Sequence, residues 1–102
     1  MGQPLNLSDI LKKIKDNKPS ISSFGVKTLG VFGSYIKDEQ NSSSDLDILV
    51  EFETGQKSFD NLIGLLNFLE DLFNMKVDLV TKEALSPHIG PSILNEVIYV
   101  EQ

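Results

Sequence analysis

A chain of 102 residues is long enough for one modest core and too short for two, so a single domain over residues 1–102 is expected. Its 40% hydrophobic and 24% charged content is that of a globular protein, and nine Lys plus Arg against fifteen Asp plus Glu give a net charge of -6, the wrong sign for gripping a nucleic-acid polymer through counterion release. The chain has no cysteine, which excludes a disulfide framework and a thiolate metal site; with no membrane-spanning stretch and no basic-then-apolar leader in residues 1–8, the expected compartment is the cytoplasm.

Asn6 or Ser8 is placed to cap a first helix carrying Leu7, Ile10, Leu11 and Ile14 at helical spacing, expected to stop before Pro19. Residues 20–23 read as a polar break. Val26 to Phe32 is β-branched and aromatic enough for a buried strand, ended by Gly33-Ser34, and a short helical piece is expected after that turn. Residues 37–44, KDEQNSSS, contain nothing apolar and read as an exposed loop.

In DLDILVEF the apolar Leu46, Ile48, Val50 and Phe52 alternate with Asp45, Asp47, Leu49 and Glu51, which puts the two aspartates on one face at the start of a second strand. Ser58 is expected to cap a long helix reaching about Asn74. Leu62, Leu66, Leu69 and Phe73 form its stripe, and Leu65, Phe68 and Leu72 widen the arc beyond what one sheet requires; the excess is assigned either to a shared core, the plainer reading, or to a partner chain or second copy. Residues 76–81 supply a third strand with Val77 and Leu79 on one face and Asp78 and Val80 on the other. A last helix over residues 87–97, interrupted near Gly90-Pro91, and a short edge strand over residues 98–100 complete an α+β chain: one mixed β-sheet of three to four strands covered by helices.

Transfer of a phosphoryl or nucleotidyl group asks a protein for two things, backbone that approaches phosphate oxygens closely and carboxylates that fix divalent ions. Gly33 has no Cβ to obstruct that approach, Ser34 adds a hydroxyl, and amide hydrogens of a helix starting there would face a phosphate. Alone, a Gly-Ser pair after a strand is an ordinary turn, and acids entering an amphipathic strand ordinarily face water. Here ten residues separate Ser34 from Asp45, the Asp45-x-Asp47 carboxylates stand about 7 Å apart along the strand, and Asp78 interrupts an apolar run where an unpaired carboxylate would be costly. His88 has no companion nitrogen ligands for zinc, and Tyr35 and Tyr99 read as packing residues.

The order strand, Gly-Ser, polar loop, Asp-x-Asp strand, helix, strand with Asp resembles the nucleotidyltransferase superfamily related to DNA polymerase beta. VFGSYIKDEQNSSSDLDILVEF, KVDLVTKEALSP and ILNEVIYV resemble its smallest members, the minimal nucleotidyltransferase (MNT) proteins, over nearly the whole chain. The resemblance implies a polymerase beta-like nucleotidyltransferase fold and an antitoxin that moves AMP from ATP onto a tyrosine of a HEPN-type ribonuclease toxin. It further implies that Gly33, Ser34 and Lys37 hold the triphosphate, that Asp45 and Asp47 bind two Mg2+ ions, and that Asp78 completes the metal site on the nucleophile's side and acts as base. Tyr35-Ile36-Lys37-Asp38 stands where the family usually has aromatic-Ala-Arg-Gly; Lys37 keeps a charge without arginine's fork, and Asp38 adds a negative charge near the expected phosphates. Two other functions fit the same residues less well: an antitoxin that neutralises its toxin by contact alone, with idle carboxylates, and a small-molecule transferase, for which the chain offers little substrate-binding structure.

Overall fold

The computed structural model describes residues 6–33, 45–84 and 95–100. Ser34, Tyr35, Lys37, Asp38, His88 and most of the helix expected over residues 87–97 lie outside them. The described elements are α1 (Leu7–Asp16), α2 (Lys18–Ser22), β1 (Val26–Phe32), β2 (Leu46–Phe52), α3 (Phe59–Phe73), β3 (Val77–Thr81) and β4 (Ile98–Tyr99), with a 3-10 turn at Lys82–Ala84 after β3.

Local chemistry sets the helix ends. The Asn6 side chain accepts the Asp9 N–H at 2.9 Å and starts α1, and the Ser58 hydroxyl accepts the Asn61 N–H at 3.1 Å and starts α3. Asn74, left-handed at φ 52°, ends α3. One expectation is corrected between α1 and β1: the break placed at residues 20–23 is largely the short helix α2. Pro19 does end α1, but proline also suits a first helical turn, where its missing N–H costs nothing, and Ile21 is buried beneath.

The sheet order is β3-β2-β1-β4. β1 pairs antiparallel with β2 and β4, while β2 and β3 are parallel, a pairing that needs the crossover α3 provides. Leu46, Ile48 and Val50 of β2, with Leu29 and Val31 of β1 and Val77 of β3, line one face and pack into a single core with Ile10 and Ile14 of α1, Ile21 of α2, and Leu65, Leu69 and Phe73 of α3. The broad arc of α3 is spent on this core: Leu65 is fully buried, Phe68 and Leu72 pack against it, and the Phe68 ring lies 5.9 Å from that of Phe24.

The opposite face of the sheet carries the other half of the alternation. Phe32 lies opposite Asp47, Gly30 opposite Leu49 and Thr28 opposite Glu51, and Asp78 and Val80 of β3 continue the rows from Asp47 and Leu49. The short strand β4 closes the far edge through Gly30↔Tyr99 and Val31↔Ile98. Tyr99 is 44% exposed there, so the expectation that it packs inside holds only in part.

Candidate active site

Two strands deliver two of the expected carboxylates to the non-core face. Asp47, second residue of β2, stands in register with Asp78, second residue of β3. Asp45 immediately precedes β2 and is exposed. Asp78 is exposed as well, because β3 is an edge strand; the desolvation cost that its apolar neighbours suggested falls instead on Asp47, which is half-buried between β1 and β3.

The electrostatics reflect that placement. Burial first, then the neighbouring Asp78 carboxylate, then Asp45, push the Asp47 carboxyl up to about 6 from its ordinary 3.8. No cation pairs with Asp47 among the described residues. Another charged network lies at Glu51 further along β2, where the Lys82 ammonium, just past β3, sits 3.8 Å from a Glu51 oxygen that the Thr28 hydroxyl approaches at 3.4 Å. Sequence reasoning did not single out these three. The even spacing of Thr28 and Phe32 on β1, and of Asp47 and Glu51 on β2, was the available signal, since it puts each pair on one strand face; Lys82 lies past the end of β3 and carried no such signal.

Gly33 ends β1 in the left-handed region at φ 83°. An ideal Cβ built there would collide with Oδ2 of Asp47 and lie 3.0 Å from its Cγ and 3.2 Å from its Cβ. The glycine backbone is therefore packed directly against the carboxylate, a relation between β1 and β2 that the sequence reading, which gave Gly33 to the phosphate, did not contain.

Oxygen-only donors that repel one another suit a hard divalent cation, which would bring the missing positive charge. Asp47 and Asp78 are brought side by side and Asp45 acts on Asp47 through its charge, but no three His, Cys, Asp or Glu side chains among the described residues gather into a ready-made metal cage. The described part of the site is an open platform of paired carboxylates.

The profile of the nucleotidyltransferase domain matches residues 7–100. The chain belongs to this family. Its sequence is 41% identical over 97 residues to the protein adenylyltransferase MntA of Thermococcus cleftensis, a match covering 94% of this chain and 97% of the relative. Among solved structures it is similar to one described as a minimal nucleotidyltransferase, with TM-score 0.73, 30% identity and coverage of 95% of this chain and 98% of the other. A toxin–antitoxin structure with AMP-PNP matches with TM-score 0.63 and 26% identity over 95% of this chain and 73% of that one. The α+β domain with its four-stranded mixed sheet is thus the minimal nucleotidyltransferase fold, and the chain is a nucleotidyltransferase. No helix among the described residues is long and apolar enough to cross a membrane.

Proposed function

We propose that this nucleotidyltransferase is an antitoxin that transfers AMP from Mg-ATP to a tyrosine hydroxyl of a HEPN-type ribonuclease toxin in the cytoplasm. The observation that carries the reading is the pairing of Asp47 with Asp78 on the non-core face, with the Gly33 backbone against Asp47. The MntA relative is named for protein adenylyl transfer, and the AMP-PNP complex is a toxin–antitoxin assembly, which supports the nucleotide and the kind of partner.

In the reaction, the acceptor oxygen attacks the α-phosphorus, a new phosphorus–oxygen bond forms, the bond to the β-phosphate bridge breaks, and pyrophosphate leaves. Bound divalent ions, two in the proposed site, would lower the hydroxyl's pKa and neutralise charge on the phosphates. Asp45 and Asp47 would hold them. Asp78, exposed at the sheet edge beside Asp47, would add a ligand on the acceptor's side and take the hydroxyl proton. Gly33, Ser34 and Lys37 would hold the triphosphate, with Lys37 acting as a point charge rather than a fork.

The test is incubation of the full chain with Mg-ATP and its HEPN partner, reading intact masses for added AMP, with Asp45→Asn/Asp47→Asn as the matched variant. An adduct lost in the variant supports the transferase. A tight, unmodified complex would replace this reading with a contact-only antitoxin, and an adduct retained by the variant would refute the site.

A further inference from the structure

The two edges of the sheet are protected very differently. β3 is flanked and interrupted by charge, with Lys76, Asp78 and Lys82 along it, the usual defence of an edge strand. At the opposite edge, residues 97–100 read Val-Ile-Tyr-Val without a charge, with Glu96 and Glu101 flanking them in sequence, and among the described residues β4 pairs only with β1. Ile98 and Tyr99, at 38% and 44% exposure, are two of the three exposed large hydrophobic residues among those described.

Beside this edge, Tyr99 and Val100 form a groove of about 380 Å³ with Leu11, Lys12 and Lys15 of α1. Its size is at the small end of ligand pockets, about 300–1,000 Å³, enough for a side chain rather than a cofactor. Lys12, Lys13, Lys15 and Lys18 are four of the chain's nine cationic residues, set against the single Asp16 between them. In a chain of net charge -6 this is a concentrated basic stretch, and Lys12 and Lys15 of it line the groove. The Lys12–Asp16 bridge at 3.1 Å is largely in solvent, so it holds Lys12 weakly.

We propose that the β4 edge and the α1–β4 groove dock an acidic, extended peptide segment of a partner protein, added to the sheet beside β4. Its backbone would use the edge of β4 that no described strand pairs, one apolar side chain would enter between Leu11 and Tyr99, and its carboxylates would meet Lys12 and Lys15. Charge selects this occupant. A second copy paired edge to edge about a two-fold axis would bring the lysine-rich α1 of each chain beside the other's, which is repulsive. This docking site is independent of the chemistry assigned to Asp47.

The test uses the full chain, 15N-labelled, titrated with a synthetic peptide of alternating glutamate and leucine, and with the same peptide carrying lysine for glutamate. The amide signals of Ile98, Tyr99 and Leu11 through Lys15 should move with the acidic peptide, those of Gly55 and Phe59 should not, and Lys12→Glu/Lys15→Glu should weaken binding about tenfold or more. Both lysines are exposed, and an unchanged melting temperature confirms that the variant is folded. Equal response to the two peptides, unchanged affinity in the variant, displacement of the peptide by a short oligonucleotide, or self-association through these same residues in sedimentation equilibrium would each overturn the proposal.

Discussion

Replacing Gly33 with alanine separates two roles that glycine plays at the end of β1. The first is conformational: at φ 83° an L-residue is strained, by about 1–2 kcal/mol. The second is spatial, because the new methyl would occupy the position of the Asp47 carboxylate. Gly55 supplies the control, since it sits at φ 79° with nothing within 4 Å of its missing Cβ, so Gly55→Ala carries the same strain and no collision. Gly55→Ala should lose about 1–2 kcal/mol in denaturant melts and Gly33→Ala at least as much. Only Gly33→Ala should move Asp47, and a displacement of about 1 Å at a reacting centre costs on the order of 100-fold in rate. The assay is AMP transfer alongside Mn2+ binding by electron paramagnetic resonance without nucleotide. Transfer should fall about 100-fold and Mn2+ affinity should drop in Gly33→Ala, while both stay within about twofold of the parent in Gly55→Ala. If Gly33→Ala binds Mn2+ normally and loses only nucleotide affinity, Gly33 serves the phosphate and not the carboxylate, and the reasoning from the collision is wrong.

The raised Asp47 makes a pH prediction. Its folded-state value near 6 lies above the ordinary 3.8, so between those values the folded protein keeps a proton that the unfolded chain has released. Stability contributed by this group therefore falls as pH rises from about 4 to about 6 and is level above; discounted for its half-exposed position, the loss is roughly 1–2 kcal/mol. Asp47→Asn should accordingly melt higher than the parent at pH 7.5 and equally at pH 3.5, and Mg2+ should raise the parent's melting temperature at pH 7.5 more than the variant's; equal pH profiles would show that Asp47 is not strained. Ser58→Ala removes the acceptor of the Asn61 N–H and should cost about 1 kcal/mol in urea melts without changing transfer, an effect that Ser58→Asp should largely restore.

What was legible in the sequence was what is decided locally. Ser58 and Asn74 bound α3 because capping is chemistry between residues a turn apart, and β1 was readable to the residue because Val26 to Phe32 is β-branched and aromatic and runs up to Gly33. The period of two placed Asp47 and Asp78 on the faces they occupy. Pro19 misled because the same residue ends one helix and begins another, and only Ile21 finding a place in the core decides between the two. The alignment of β2 with β3, which puts Asp47 beside Asp78, and the approach of Gly33 to Asp47 are contacts between distant segments that no local pattern encodes. Asp78 was taken as the costly carboxylate because its neighbours are apolar, but cost follows strand position: an edge strand leaves Asp78 in water and puts the burden on Asp47.

Both faces of the sheet and both of its edges now have separate assignments. The core face is apolar except for the buried Thr81 beside Val50 and holds the domain together, which allows the other face to carry a carboxylate pair that opposes folding. Asp78 lies at the β3 edge and the proposed docking groove at the β4 edge, three strand spacings apart, or about 14 Å. An extended chain covers the in-sheet part of that span in about four to five residues and needs a few more to pass from the α1 side of the sheet to the face that carries Asp78, so the continuation of a segment docked on β4 can reach it only around the sheet. Docking energy of this kind is felt equally in the ground and transition states. Lys12→Glu/Lys15→Glu should therefore raise the KM for a protein acceptor about tenfold and leave kcat near the parent value, whereas Asp78→Asn should lower kcat with little change in KM. A charge reversal that lowered kcat instead would place those lysines in the chemistry rather than in docking.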